Sequence, residues 1–204
     1  MSKFAVVDPA ELRSVITASP LAAIAWSGPD GLDVVHVPLL LRGDSLVGHM
    51  ARANRLVQHD GVEVLAIFRA ADAYVTPSWY PSKPEHGKVV PTWNYVVTHV
   101  HGRLRVIDDA AWVRGQIGEL TRQQEGQRAK PWMVEDAPAD YIAQMQKAIV
   151  GFEIPIARLT GVRKASQNRE ERDRAGVVAG LAAEASPAAA GMLRWMPGED
   201  PTSA

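Results

Sequence analysis

The 204-residue chain contains no cysteine. That absence excludes disulfide frameworks, thiolate nucleophiles, cysteine zinc sites and cysteine-ligated haem, and it fits a reducing compartment. A charge excess is missing as well. Lys and Arg number 22 against 23 Asp and Glu, so the overall positive field behind non-specific nucleic-acid binding is absent. There is no long apolar run. Leu21 to Trp26 falls far short of the roughly 20 residues a spanning helix needs, and no apolar signal segment follows Met1-Ser2-Lys3-Phe4. We expect a soluble, cytoplasmic protein without a membrane partner. Gly-x-Gly-x-x-Gly, the Walker-type loop, His-Glu-x-x-His and Gly-x-Ser-x-Gly are also missing, so a nucleotide cofactor would not bind through a Rossmann turn.

What remains is ordinary globular composition, 47% hydrophobic and 22% charged, wrong for a disordered chain. The length suits one domain, which at this size buries about 70% of its unfolded surface. Asp8 is placed to cap a first helix with Pro9 at its first position, and Leu12, Val15 and Ile16 recur at helical spacing before Ser19-Pro20. Leu21–Trp26 and Asp33–Leu39, joined by a turn-rich stretch, read as a hairpin. Further strands are predicted over Ser45–Met50, Val62–Phe68, Ala73–Thr76, Tyr95–Ile107 and Val150–Ile156. Helices are predicted over Asn54–His59, Ala110–Gln124 and Pro138–Ala148, the last with Tyr141, Ile142 and Met145 on one face. Asn168 is placed to cap another, with Glu171 in capping-box position. Four prolines between Pro77 and Pro91 predict an irregular loop. After Ser186-Pro187 the composition turns to Ala, Gly and Pro, and a mobile tail is expected, with at most a loose turn near Leu193. Short strands followed by helices argue for a mainly β, α+β architecture: a small antiparallel barrel with helical decoration, or a two-layer sandwich.

Four polar-aromatic clusters stand out. In Gly48-His49-Met50-Ala51-Arg52-Ala53-Asn54, a strand hands over to a helix start that could hold an anion, with Arg52 beside it. Equally, Asn54 is a helix cap and His49 a satisfied core histidine. Ser78-Trp79-Tyr80 and Val90-Pro91-Thr92-Trp93-Asn94-Tyr95 put two Trp and two Tyr around a proline-rich loop. Such residues suit a pocket wall gripping a flat ligand, with Lys83 and Lys88 for a phosphate, or a loop pinned by its own aromatics. In Ser166-Gln167-Asn168-Arg169, Arg169 could face a phosphate, although capping and a solvated helix face explain much of the segment. His99 and His101 share a strand face but lack a third metal ligand by spacing.

Together with His36-Val37-Pro38-Leu39 and Ile149-Val150-Gly151-Phe152, these clusters resemble the PaiB-like family, called FMN-binding negative transcriptional regulators or protease synthase and sporulation regulators. The resemblance covers roughly residues 1–184. One departure is Arg55-Leu56, where the family pattern has Pro and then an aromatic. The resemblance implies an FMN-binding split β-barrel, pyridoxamine-phosphate-oxidase-like, spanning residues 1–185 with 186–204 as tail. It implies a homodimer with cofactor pockets at the subunit interface, residues 78–95 lying near it. The cofactor residues expected from these clusters are His49, Arg52, Asn54, Ser78, Trp79, Tyr80, Lys88, Thr92, Trp93, Asn94, Tyr95, Gln167, Asn168 and Arg169, with Arg52, Lys88 and Arg169 for the phosphate of FMN and Trp79, Trp93 and Tyr95 for its flat ring. Relatives on this barrel hold haem, and haem-dependent piperazate synthases resemble the family. Two functions are therefore carried forward. One is an FMN-binding negative regulator acting indirectly, since the neutral charge and the lack of a helix-turn-helix segment argue against direct DNA binding. The other is an enzyme, either a flavin oxidoreductase or a haem b protein with His49 as the axial metal ligand.

Overall fold

The structure, a computed structural model, describes residues 3–197. Its elements in chain order are β1 Ala5–Val6, α1 Pro9–Ala18, β2 Leu21–Gly28, β3 Gly31–Pro38, β4 Leu40–Arg42, β5 Ser45–Ala51, β6 Glu63–Val75, α2 Lys83–His86, β7 Thr92–Arg103, β8 Arg105–Ile107, α3 Ala110–Glu125, α4 Ala139–Gln146, β9 Ile149–Lys164, α5 Glu171–Glu184 and α6 Pro187–Leu193. The hydrogen-bonded strand order is β3-β2-β6-β7-β9-β5-β4, with β1 and β8 each added to β9. This is the mainly β, helix-decorated class. None of the helices among the described residues is long and apolar enough to cross a membrane.

The chain divides into two compact units. Among the described residues the first comprises 3–19, Phe68–His99 and 159–197; the second comprises Pro20–Ile67 and Val100–Arg158. In the first, α1 starts as its sequence dictates. Asp8 accepts a hydrogen bond from the Ala10 N–H at 2.9 Å, Pro9 opens the helix, and Leu12, Val15 and Ile16 are buried. The short strand β1 pairs antiparallel with β9, Val6 opposite Gly161. A Cβ on Gly161 would lie 2.4 Å from Leu12, so a bare α-carbon is what lets α1 lie close there.

The segment read as a mobile tail packs instead. In α6, Ala189 and Met192 are buried, and Trp195 and Met196 behind it are buried too. Ser186 caps the helix, accepting from the Ala189 N–H at 3.1 Å. Its apolar residues are spaced for a helix face, and the surrounding Ala and Gly masked that pattern. Residues 198–204 lie outside the described residues. The α5 cap also differs. The N-cap is Glu170, without a side-chain capping bond, and Asn168 is exposed two residues earlier.

In the second unit, β2 and β3 form the expected hairpin, Ile24 opposite Val35, and β2 also pairs with β6, Ile24 opposite Ala66. Ala22, Ile24 and Trp26 alternate inward, as a half-buried strand requires. β5 pairs with β9, Gly48 opposite Phe152. Position 104 breaks the expected Tyr95–Ile107 strand. Leu104 donates to Val62 O and accepts from Gly61 N, at 3.0 and 2.8 Å, which turns the chain out of β7 and into β8. In α4 no residue is buried; Tyr141 and Met145, expected with Ile142 on one helix face, are 53% and 44% exposed.

Candidate functional site

The four clusters divide between the two units. His49, Arg52 and Asn54 belong to the second; Ser78 to Tyr80, Lys88, Thr92 to Tyr95 and Gln167 to Arg169 belong to the first.

In the second unit each member of the first cluster already has partners. His49 Nδ1 lies 2.7 Å from Gln116 Oε1 on α3. An amide oxygen only accepts, so Nδ1 is the donor in this contact. Gln116 is fully buried, and its amide Nε2 has no partner among the described residues. Arg52, expected beside an anion, holds Asp108 through two hydrogen bonds of 2.8 and 2.5 Å and the Lys147 carbonyl at 2.9 Å. The bidentate contact holds the Asp108 carboxyl below its ordinary range, mainly through the hydrogen bonds. The Arg52 fork is thus occupied by a carboxylate in this structure. Asn54 caps the turn Arg55–Gln58, accepting from Leu56 N at 3.0 Å.

In the first unit the other three clusters come together. The Arg169 guanidinium lies 4.8 Å over the ring of buried Tyr80. Buried Asn94 donates to Ser166 Oγ at 2.9 Å, and Ser166 Oγ donates back to Asn94 Oδ1 at 3.3 Å. Lys164 donates to Thr92. Ser166 is held at φ 57°, a conformation costing a residue with a Cβ about 1–2 kcal/mol. The exchange with Asn94 fixes it, and Arg169 N closes the turn onto Ser166 O at 2.9 Å. Gln167 is spent within that turn, accepting from Ala165 N at 2.7 Å and donating to the Arg163 carbonyl.

The proline-rich loop is more ordered than expected. Pro77–Trp79 forms a 3-10 turn, and α2 adds one helical turn that ends at Gly87, φ 65°. Trp79 is seated on α5, where a Cβ on Gly180 would lie 2.2 Å from its indole and a Cβ on Gly176 would lie 2.1 Å from its carbonyl. Ser78 Oγ accepts from Lys83 at 3.3 Å. Trp93 stays 54% exposed and meets Tyr74 edge-on, ring centroids 5.8 Å apart. Tyr95 lies half-buried on β7.

Lys88, Asn168 and Arg169 line one cavity of about 280 Å³ with Ser82, His86 and Asp173. Asp173 is buried and takes hydrogen bonds from Ser82 N at 3.1 Å and Ser82 Oγ at 2.7 Å. Burial pushes its carboxyl upward, but the Ser82 bonds and the charges of Arg172 and Arg169 outweigh this and leave it below the ordinary value. Arg172 is engaged by Glu85 at 2.5 and 2.7 Å. Ser82 and Asp173 escape sequence reasoning, because only the fold joins positions 91 residues apart. Gln116 was legible only as a polar residue on the inward face of α3. His99, half-buried on β7, has its imidazole pKa lowered by burial. His101 Nδ1 lies 3.1 Å from Arg158 Nη2, and among the described residues no group of three metal-ligating side chains gathers.

Comparison with known proteins places the chain. The family described as "Putative FMN-binding domain" matches residues 1–158. An uncharacterized protein of Emericella nidulans is 42% identical over 130 residues, 58% of this chain and 52% of that protein, so the chain spans about half the length of this relative. The protease synthase and sporulation protein PAI 2 of Bacillus subtilis is 29% identical over 199 residues, 95% of this chain and 93% of its own length. Among solved structures, the FAD and heme binding protein of Mycobacterium smegmatis superposes with a TM-score of 0.60 at 15% identity, over 85% of this chain and 80% of that one. That likeness fixes the fold as a split barrel. With its residues 1–158 matched and its motifs in the expected order, the chain belongs to the PaiB-like family of FMN-binding-domain proteins.

Proposed function

We propose that this protein binds FMN and that the first unit carries the phosphate end of the site. The observation supporting this most is the convergence of Lys88, Asn168 and Arg169, from segments 80 residues apart, on one cavity. Among the described residues neither Lys88 nor Arg169 is committed to an ion pair, whereas Arg172 and Arg52 are. The neighbouring carboxylate of Asp173 is already held by Ser82. The donor set therefore fits a phosphate, which Lys88 and Arg169 would meet with charge-assisted hydrogen bonds. The exposed pair Tyr74 and Trp93 offers aromatic faces to a flat ring. Bound FMN supplies one- or two-electron redox chemistry; these residues bind and orient it.

A homodimer is part of this reading, with residues 78–95 toward the partner, since Val90 and Trp93 are exposed. Sedimentation at the mass of one chain would refute it. Regulation, the role suggested by the name of the Bacillus relative, is indirect on this reading, because the net charge of −1 provides no field for DNA. The cytoplasm is the proposed location.

A second reading rests on His49. Its Nδ1 is held by buried Gln116, a contact that would orient the ring with Nε2 turned to a metal. On this reading His49 would hold haem b, which would supply the chemistry of an N–N bond-forming or oxidoreductase enzyme. A visible spectrum of the reconstituted protein separates the two. Flavin titration tests the first: Lys88→Ala and Arg169→Ala should each weaken FMN about tenfold or more, the equivalent of roughly 1.5–3 kcal/mol per charge-assisted contact. Wild-type affinity in both variants would overturn the phosphate assignment.

A further inference from the structure

A cavity of about 540 Å³ in the second unit has no part in the flavin reading. The start of β6, the end of β7, β8 and the middle of β9 form its walls, which carry Arg103, Arg105, Arg158 and His101. The charges there are unequally met. Arg103 donates to Glu63 at 2.6 Å and to the Gly61 carbonyl at 3.2 Å. Arg105 lies 3.6 Å from the Glu153 carboxylate, beyond hydrogen-bond length. Arg158 meets no carboxylate among the described residues; its Nη2 donates to His101 Nδ1 at 3.1 Å. A guanidinium has no acceptor, so the imidazole accepts through Nδ1 and the positive charge of Arg158 stays uncompensated. Glu63, paired with Arg103, is the one acidic side chain on the wall, and the rest is apolar or bare: Val64, Pro155, Ala157 and Gly102. Gly102 has to be bare, because a Cβ there would lie 2.3 Å from the Pro155 carbonyl oxygen.

We propose that this cavity binds a small organic oxyanion, a phosphate monoester or carboxylate on an apolar body, anchored by Arg158. The volume is that of a small-molecule site and exceeds what a bare inorganic ion fills. The guanidinium fork matches the two oxygens of either headgroup. Val64, Pro155 and Ala157 give the apolar body a surface that neither water nor an inorganic ion would use.

The test is calorimetric titration of the full chain with phenyl phosphate, benzoate, phenol and inorganic phosphate. Phenyl phosphate or benzoate should bind, the tighter one naming the headgroup, with phenol and inorganic phosphate at least about tenfold weaker. Arg158→Gln, at an exposed position, should weaken the binder at least about tenfold, and Arg169→Ala should leave it unchanged. Absence of binding by either aromatic anion below about 10 mM, wild-type affinity in Arg158→Gln, or loss in Arg169→Ala alone would overturn the proposal. FMN titration of the same two variants keeps this separate from the flavin reading. FMN affinity lost in Arg169→Ala and kept in Arg158→Gln supports both sites. The reverse pattern removes the flavin assignment and leaves the cavity.

Discussion

Replacing Met192 by Ala tests whether α6 is part of the folded core. Met192 is fully buried on a helix of only seven residues, too short to hold itself in water. Its order therefore comes from packing, together with the Ser186 cap. Truncating a buried Met to Ala costs about 2–5 kcal/mol, from lost transfer energy plus the cavity left behind. For a chain of this length each kcal/mol shifts the melting temperature by about 2–4 °C, so a 3 kcal/mol loss lowers it by roughly 6–12 °C. Gly191→Ala is the internal control. A Cβ at 191 meets nothing within 4 Å, so this variant should be neutral or gain up to about 1 kcal/mol in helix propensity. A chain ending at Ser186 loses Met192, Trp195 and Met196 together and should fall below Met192→Ala. Thermal unfolding followed by circular dichroism reads all three. Met192→Ala melting within about 1 °C of wild type would refute the packing of α6.

Gly180→Ala drives a Cβ to 2.2 Å from the Trp79 indole; it should cost about 1–3 kcal/mol net of any propensity gain and shift Trp fluorescence, and a stabilised variant would show that Trp79 is not seated there. His49→Ala leaves the buried Gln116 amide without its remaining partner; a loss of about 1–3 kcal/mol is expected in urea unfolding, and an unmoved midpoint would refute the pair. The Asp173 carboxyl is lowered in the folded chain, so its contribution is present above the ordinary carboxylate pKa and is lost as pH falls through that value toward the folded one. Asp173→Asn should flatten the acid limb of the stability curve, and an unchanged slope would contradict the Ser82 contacts.

Periodicity carried most of the second unit. The β2–β3 hairpin, β5 and α3 are legible because their apolar residues alternate or recur as those elements require. Long strands were harder. Arg69 to Asp72 looks like a break between two strands because the inward positions change phase there, from Val64, Ala66 and Phe68 to Ala71, Ala73 and Val75, yet one strand, β6, runs through. Pro155 and Gly161 likewise hid the length of β9, since both residues weaken a strand in isolation. Within the candidate site, the sequence identified Lys88 and Arg169 by charge. It did not separate them from Arg52, because the Asp108 that occupies Arg52 lies 56 residues away.

Gly176 and Gly180 stand one turn apart inside α5, and each interior glycine weakens a helix by about 1 kcal/mol relative to alanine. The middle of α5 is therefore intrinsically the poorest part of that helix, and it is the part Trp79 covers. Fraying from the ends is the usual route by which a helix opens to solvent, but here the weakest turn is central and guarded by a side chain from another segment. The helix centre and the Pro77–Trp79 turn are therefore expected to open as one cooperative element. Amide protons near Gly180 should therefore exchange at the rate at which the indole leaves its seat, and Trp79→Ala should speed that exchange.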